Sequence, residues 1–180
     1  MSPTRNVQSD FSIAALFDAL DRQRLERGLS WQGVAKEIWN QSVILNAQRK
    51  DHPISASTLT GMAKRGDTTC QHALFMLRWL GREPESFVPD AAAETKSRAL
   101  PIAGPDQRLR WDLRKLYDSL DEQRRARGLT WPQLAVELRC TPSQISGIKR
   151  MRFAISMKLA MRIVQWLAWP ARDFIYAAKW

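Results

Sequence analysis

Two cysteines and two histidines in 180 residues leave this chain short of the groups from which metal sites, disulfide frameworks and most acid–base catalysts are built. Cys70 and Cys140 stand singly, with neither zinc-ligand spacing nor a disulfide pattern, and read as small buried or half-buried residues. His52 and His72 have no clustered Cys or carboxylate beside them, so no metal is expected. No nucleophile sits next to a base, no glycine-rich loop is suited to phosphate, and no carboxylate pair stands apart from cations. An enzyme is therefore not expected, nor a cofactor. Long apolar runs are missing too, and the N-terminus MSPTRNVQSD has no signal-peptide core, which predicts a cytoplasmic protein without a membrane span.

Charge is lacking in one half only. Residues 1–90 hold 11 Lys+Arg against 10 Asp+Glu, net +1, whereas residues 91–180 hold 17 against 8, net +9. A polyanionic partner is implied for the second half, nucleic acid ahead of an anionic membrane surface.

What the chain does contain is a repetition. Between Ile13–Ile38 and Leu113–Leu138, at an offset of 100, 12 of 26 positions are identical, among them Leu16/Leu116, Leu20/Leu120, Arg24/Arg124, Arg27/Arg127, Gly28/Gly128, Trp31/Trp131 and Glu37/Glu137. Unrelated segments would share about one or two, so the chain is a duplication. The match resumes at an offset of 86, where Ile54 to Met62 parallels Cys140 to Ile148, and at 87, where Trp79, Leu80 and Phe87 parallel Trp166, Leu167 and Phe174. Copy one thus carries 14 extra residues between its second and third helices. The boundaries that follow are a flexible N-terminus at 1–10, a first domain at 11–88 with an insertion at about 39–53, a linker at 89–108, and a second domain at 109–180. The linker is rich in Ala and Pro, and its length permits either separated domains or packed ones.

Five short helices are predicted per copy. In copy two, Leu109, Leu113, Leu116, Tyr117 and Leu120 form one stripe on a first helix that runs to Arg127, and Gly128 stops it. Thr130 with Gln133, and Thr141 with Gln144, read as capping boxes that open the second and third helices. A fourth helix spans about Ser156 to Trp166, and a fifth spans Ala171 to Ala178.

The third helix carries the functional signal. Anchored by Ile145 and Ile148, it must expose Pro142, Ser143, Gln144, Ser146 and Gly147 beyond its cap Thr141, with Lys149, Arg150 and Arg152 directly after. Such a face fits a major groove: Ser143 and Gln144 can read base edges, and the cations can grip phosphates. Gln144 has a second reading as a capping residue, Gly147 and Gly61 as space for a neighbouring helix, and the basic run as a solvated face. Copy one offers Ser55, Ala56, Ser57, Thr58, Thr60 and Gly61, followed by Lys64 and Arg65.

The string Gly128-Leu-Thr-Trp-Pro-Gln-Leu-Ala135, a short turn, and Thr141-Pro-Ser-Gln-Ile-Ser-Gly-Ile148 resembles the helix-turn-helix of phage-repressor and Cro-type proteins, and copy one repeats the resemblance. It implies an all-α protein of two lambda repressor-like domains joined by the Ala/Pro-rich linker. The function implied is sequence-specific binding of double-stranded DNA in transcriptional regulation, with the C-terminal copy as the main reader. Trp31 and Trp131 stand where family members often carry a polar residue that touches phosphate, although packing suits them better. In the family the turn is tight, so the insertion puts groove entry by copy one in doubt. Its Trp39, Val43, Ile44 and Leu45 read either as extra cover for their own domain or as a site for a homodimer or protein partner. Such a site would suit the competing function, a protein-binding helical module such as an antitoxin or anti-activator that retains the frame.

Overall fold

The computed structural model describes residues 7–90, 99–150 and 155–180. It is mostly helical, with one small sheet. In copy one the order is α1 (Ile13–Glu26), α2 (Trp31–Asn40), α3 (Val43–Ala47), α4 (Ala56–Arg65), α5 (Cys70–Leu80) and a 3-10 turn at Pro84–Phe87. Strand β1 (Arg108–Trp111) then leads into copy two: α6 (Leu113–Ala126), α7 (Trp131–Glu137), α8 (Pro142–Lys149), α9 (Met157–Leu167), a 3-10 turn at Ala171–Phe174 and β2 (Ile175–Ala178).

Two elements differ from the sequence reading. Leu109 lies on β1, and α6 begins only at Leu113, where the Asp112 carboxylate accepts from the Lys115 amide at 2.9 Å. A spacing of four, from Leu109 to Leu113, satisfies a strand period of two as well as a helical one, so the stripe did not show where the helix starts. The expected fifth helix is instead the 3-10 turn and β2, which pairs antiparallel with β1 from Arg108↔Ala178 to Trp111↔Ile175. β1 is buried along its whole length, packed on α5 on one side and bonded to β2 on the other.

Matching positions of the two copies build the same interior twice. Leu16, Leu20, Val34, Leu59 and Met62 are fully buried in copy one, and Leu116, Leu120, Leu134, Ile145 and Ile148 fill the corresponding places in copy two. Each such side chain contributes about 1.5–3 kcal/mol by leaving water. The Trp79 indole donates to Glu37 at 2.7 Å and the Trp166 indole to Glu137 at 2.7 Å, while Arg27 and Arg127 lie over the two indole rings. Trp31 stacks on Phe17 under Arg24, and Trp131 stacks on Tyr117 under Arg124, so both are packing residues. Gly28 and Gly128 take φ of 63° and 65°, the left-handed stop expected after the first helix of each copy.

The copies join about a local two-fold axis. Thr69 and Ser156, counterparts at the offset of 87, form an antiparallel bridge with each other. Around it the Cys70 amide donates to Ile155 O at 2.9 Å and the Met157 amide to Thr68 O at 2.8 Å, two bonds that the same offset interchanges. A segment can pair antiparallel with its own counterpart only where a two-fold relates the copies. The counterpart helices α5 and α9 pack on each other there.

Each copy also sends the segment before its first helix across to the other. Of the expected flexible N-terminus, residues 1–6 lie outside the described residues, but 8–10 are held. Ser9 exchanges two hydrogen bonds with the Gln165 side chain, Arg139 donates to Gln8 O, and Asp10 pairs with Arg162 at 2.8 Å and Arg139 at 3.0 Å. The second arm is the end of the expected linker, whose residues 91–98 lie outside the described residues. Arg78 donates to Ala103 O and Gln107 O, Gln71 to Leu109 O, and the Trp111 indole to Cys70 O. Arg108, 1% exposed, donates to Asn46 Oδ1 and Asp51 of the insertion.

Two outcomes follow from the arms. Arg108→Ala strands the buried Asn46 oxygen and leaves a cavity, so urea denaturation will register a loss of roughly 2–4 kcal/mol. Arg162 holds the Asp10 carboxyl below its usual range, so the arm's ionic contribution is complete above about pH 4 and fades as pH falls through that lowered value. Melting temperature measured against pH will show a shallower acid limb in Asp10→Asn than in the parent.

Candidate nucleic-acid interface

Helix α8 starts with a full capping box. The Thr141 hydroxyl accepts from the Gln144 amide, and Gln144 Oε1 accepts from the Thr141 amide at 2.8 Å. The capping role of Gln144 is therefore real, and its side chain is nevertheless exposed. Thr141, Pro142, Ser143, Ser146, Lys149 and Arg150 are exposed as well, Gly147 is half-buried, and Ile145 and Ile148 fix the opposite face. Arg152 lies outside the described residues. α8 packs across α6 and α7, so its outward side is polar and unobstructed over two turns.

Space for a neighbouring helix does not explain the glycines. A Cβ on Gly147 would meet nothing within 4 Å among the described residues. On Gly61 it would meet only the Arg65 guanidinium, the far end of a flexible side chain. The helix thus carries a residue that costs about 0.5–1 kcal/mol relative to Ala with no return from packing among the described residues.

The turn before α8 is tight. Leu138, Arg139 and Cys140 connect it to α7, with Arg139 at φ 54°. That left-handed conformation costs a non-glycine residue roughly 1–2 kcal/mol, and here the Gln8–Asp10 arm holds the side chain from across the axis. Arg162 reinforces the turn by donating to Arg139 O at 3.1 Å.

Copy one reaches the same arrangement by another route. Its connection includes α3, yet α4 packs across α1 and α2 as α8 does across α6 and α7, anchored by Leu59 and Met62. The insertion therefore does not displace the third helix, as its length had suggested. Ser55 caps α4, and Ser57, Thr60, Lys64 and Arg65 are exposed, with Ala56 and Thr58 half-buried. Arg65 turns back to donate to Thr58 O at 3.2 Å. What keeps the connection in place is the second arm, through Arg108 on Asn46 and through Pro105 O, which accepts from the Ile44 and Leu45 amides at the start of α3.

The apolar insertion is divided between these jobs. Leu45 is 6% exposed and belongs to the interior, so it is not part of any surface site. Trp39 is half-buried and its carbonyl accepts from Asn46. Val43 and Ile44 remain at 40% and 49% exposed.

The residues that position the interface, Asp10, Asn46, Arg108, Arg139 and Arg162, carried no local sequence signal, because the pairs they form between the copies span 57 to 152 positions. Cys70 is buried, its thiol pushed up to about 12 by loss of solvent, and Cys140 is half-buried. Among the described residues no group of three or more His, Cys, Asp or Glu could hold a metal ion, and no helix is long and apolar enough to cross a membrane. No family model, curated protein or solved structure matches the chain.

Gly147→Ala will therefore raise stability by about 0.5–1 kcal/mol in thermal denaturation, since the new methyl meets open space. A loss of stability would show that the glycine serves the fold.

Proposed function

We propose that this chain is a sequence-specific double-stranded DNA-binding regulator of the phage-repressor and Cro-type helix-turn-helix class, acting in the cytoplasm with its C-terminal copy as the main reader. The observation that carries the reading is α8: a short helix, capped by its own box and anchored by Ile145 and Ile148, that presents Ser143, Gln144 and Ser146 outward and ends in Lys149 and Arg150. Gln144 retains an amide able to pair with adenine, the hydroxyls donate or accept, and the cations follow where phosphates would flank a groove. The unexplained Gly147 fits the same picture, because a groove edge tolerates a bare Cα better than a methyl. The net +9 of residues 91–180 adds long-range attraction.

Val43 and Ile44 support a second reading, a protein-binding module that uses the insertion, since two adjacent exposed aliphatics on a short helix suit a partner's apolar face. Random duplex titrated at low salt separates the two, because that module alone would not bind it.

Charge reversal at Lys149, Arg150 and Arg152 together is the direct test. Binding should weaken at least a hundredfold at moderate salt, and the log–log salt slope should flatten by up to about 3. Unchanged affinity and slope in anisotropy titrations would overturn the proposal.

A further inference from the structure

A dimer of identical helix-turn-helix subunits presents one recognition helix twice, and so meets two like half-sites. Here the two-fold relation lies inside one chain, and the related helices are unlike. Ser57 matches Ser143 and Gly61 matches Gly147, but Ala56 stands for Pro142, Thr58 for Gln144, Thr60 for Ser146 and Ala63 for Lys149. Gln144 keeps an amide N–H for an adenine where Thr58 has a hydroxyl, and Lys149 places a cation where copy one has Ala63.

The axis lies close to both helices along the chain. Thr69 follows Arg65, the last residue of α4, by four positions, and Ser156 follows Lys149, the last of α8, by seven. With about 1.5 Å per residue in the helices, at most about 3.4 Å per residue elsewhere, and roughly 5 Å across the bridge, the midpoints of α4 and α8 are no more than about 55 Å apart. That limit admits a separation of one duplex turn, about 34–36 Å, and rules out two turns. The crossed arms tie the two third helices together, since each arm grips the connection that leads into the other copy's third helix: Asp10 on Arg139, and Arg108 on Asn46 and Asp51.

We infer that a single chain, with no second copy, binds a non-palindromic duplex site of two unlike half-sites one helical turn apart, α4 facing one and α8 the other. The inference rests on the DNA-binding reading. It makes copy one a second reader, with a weaker and different half-site.

The test begins with selection of bound fragments from a random duplex pool by the full chain, and native mass spectrometry of the complex with the recovered site. The expected result is one chain per duplex and two dissimilar motifs centred about 10–10.5 base pairs apart. Scrambling either motif should weaken binding tenfold or more. A variant that gives α4 the exposed face of α8 (Ser55→Thr, Ala56→Pro, Thr58→Gln, Thr60→Ser, Ala63→Lys) should then select a palindrome while still binding as one chain. A palindrome with two chains from the parent protein would overturn the inference and leave DNA binding intact, as would a lone motif indifferent to every change in α4. Failure to enrich any sequence, with no binding of random duplex at low salt, would overturn the DNA reading itself. The parent selection stands without the graft, should that variant fail to fold.

Discussion

Two backbone hydrogen bonds set the frame of this molecule: Cys70 N–H to Ile155 O and Met157 N–H to Thr68 O. They close a reciprocal pairing between two segments that descend from one, and everything else must obey the symmetry they impose. α5 and α9 meet across the same axis with Leu74, Met76 and Leu77 on one side and Ala160, Met161 and Ile163 on the other fully buried in a single continuous core. The arms cross because their starting points are related by that axis, and each third helix lies a few residues from it. The domains share an interior and do not swing on a tether.

Sequence reasoning reached far into each copy and stopped at the boundary between them. Its markers were local. Glycine at 28 and 128, the Thr130–Gln133 and Thr141–Gln144 boxes, and the apolar stripe of Leu113, Leu116 and Leu120 each act within a turn or two, and each stands where the pattern put it. The strand pair was hidden for a physical reason: β1 alternates arginine with Leu109 and Trp111 but is enclosed on both faces, and its two guanidiniums find partners far along the chain. An Arg-Leu-Arg-Trp string reads as a solvated helix start unless one knows that Asn46 and Asp51 wait 62 and 57 positions upstream. The same blindness left the insertion open between cover for its own domain and a partner site, although its Asn46 and Asp51 receive the second arm.

Divergence inside the core is limited to exchanges of one apolar residue for another, as Val34 for Leu134 and Leu59 for Ile145, while the polar contacts of the interior are kept. Glu37 and Glu137 bind the same indole, and Arg24 and Arg124 cap the same tryptophan, since changing any one of these would disturb a packed and bonded interior. Ala63 against Lys149 faces outward, where substitution costs the fold little. The connection that is longer by 14 residues is held by Arg108, as the short one is held by Asp10. Surface and connection were therefore free to specialise while the frame stayed common.

The exchanged arms also determine what the halves are worth alone. A chain severed between residues 90 and 99 would yield two pieces, each carrying a strand of contacts that belongs inside the other. Alone, the first piece would expose Asn46 and the apolar side of α5, and the second would lose the Gln8–Asp10 clamp on a strained Arg139. Mixed, the pieces have every group needed to re-form the joint without a peptide link. The fold is thus two components that complete each other within one chain, and their covalent junction fixes the stoichiometry at one to one.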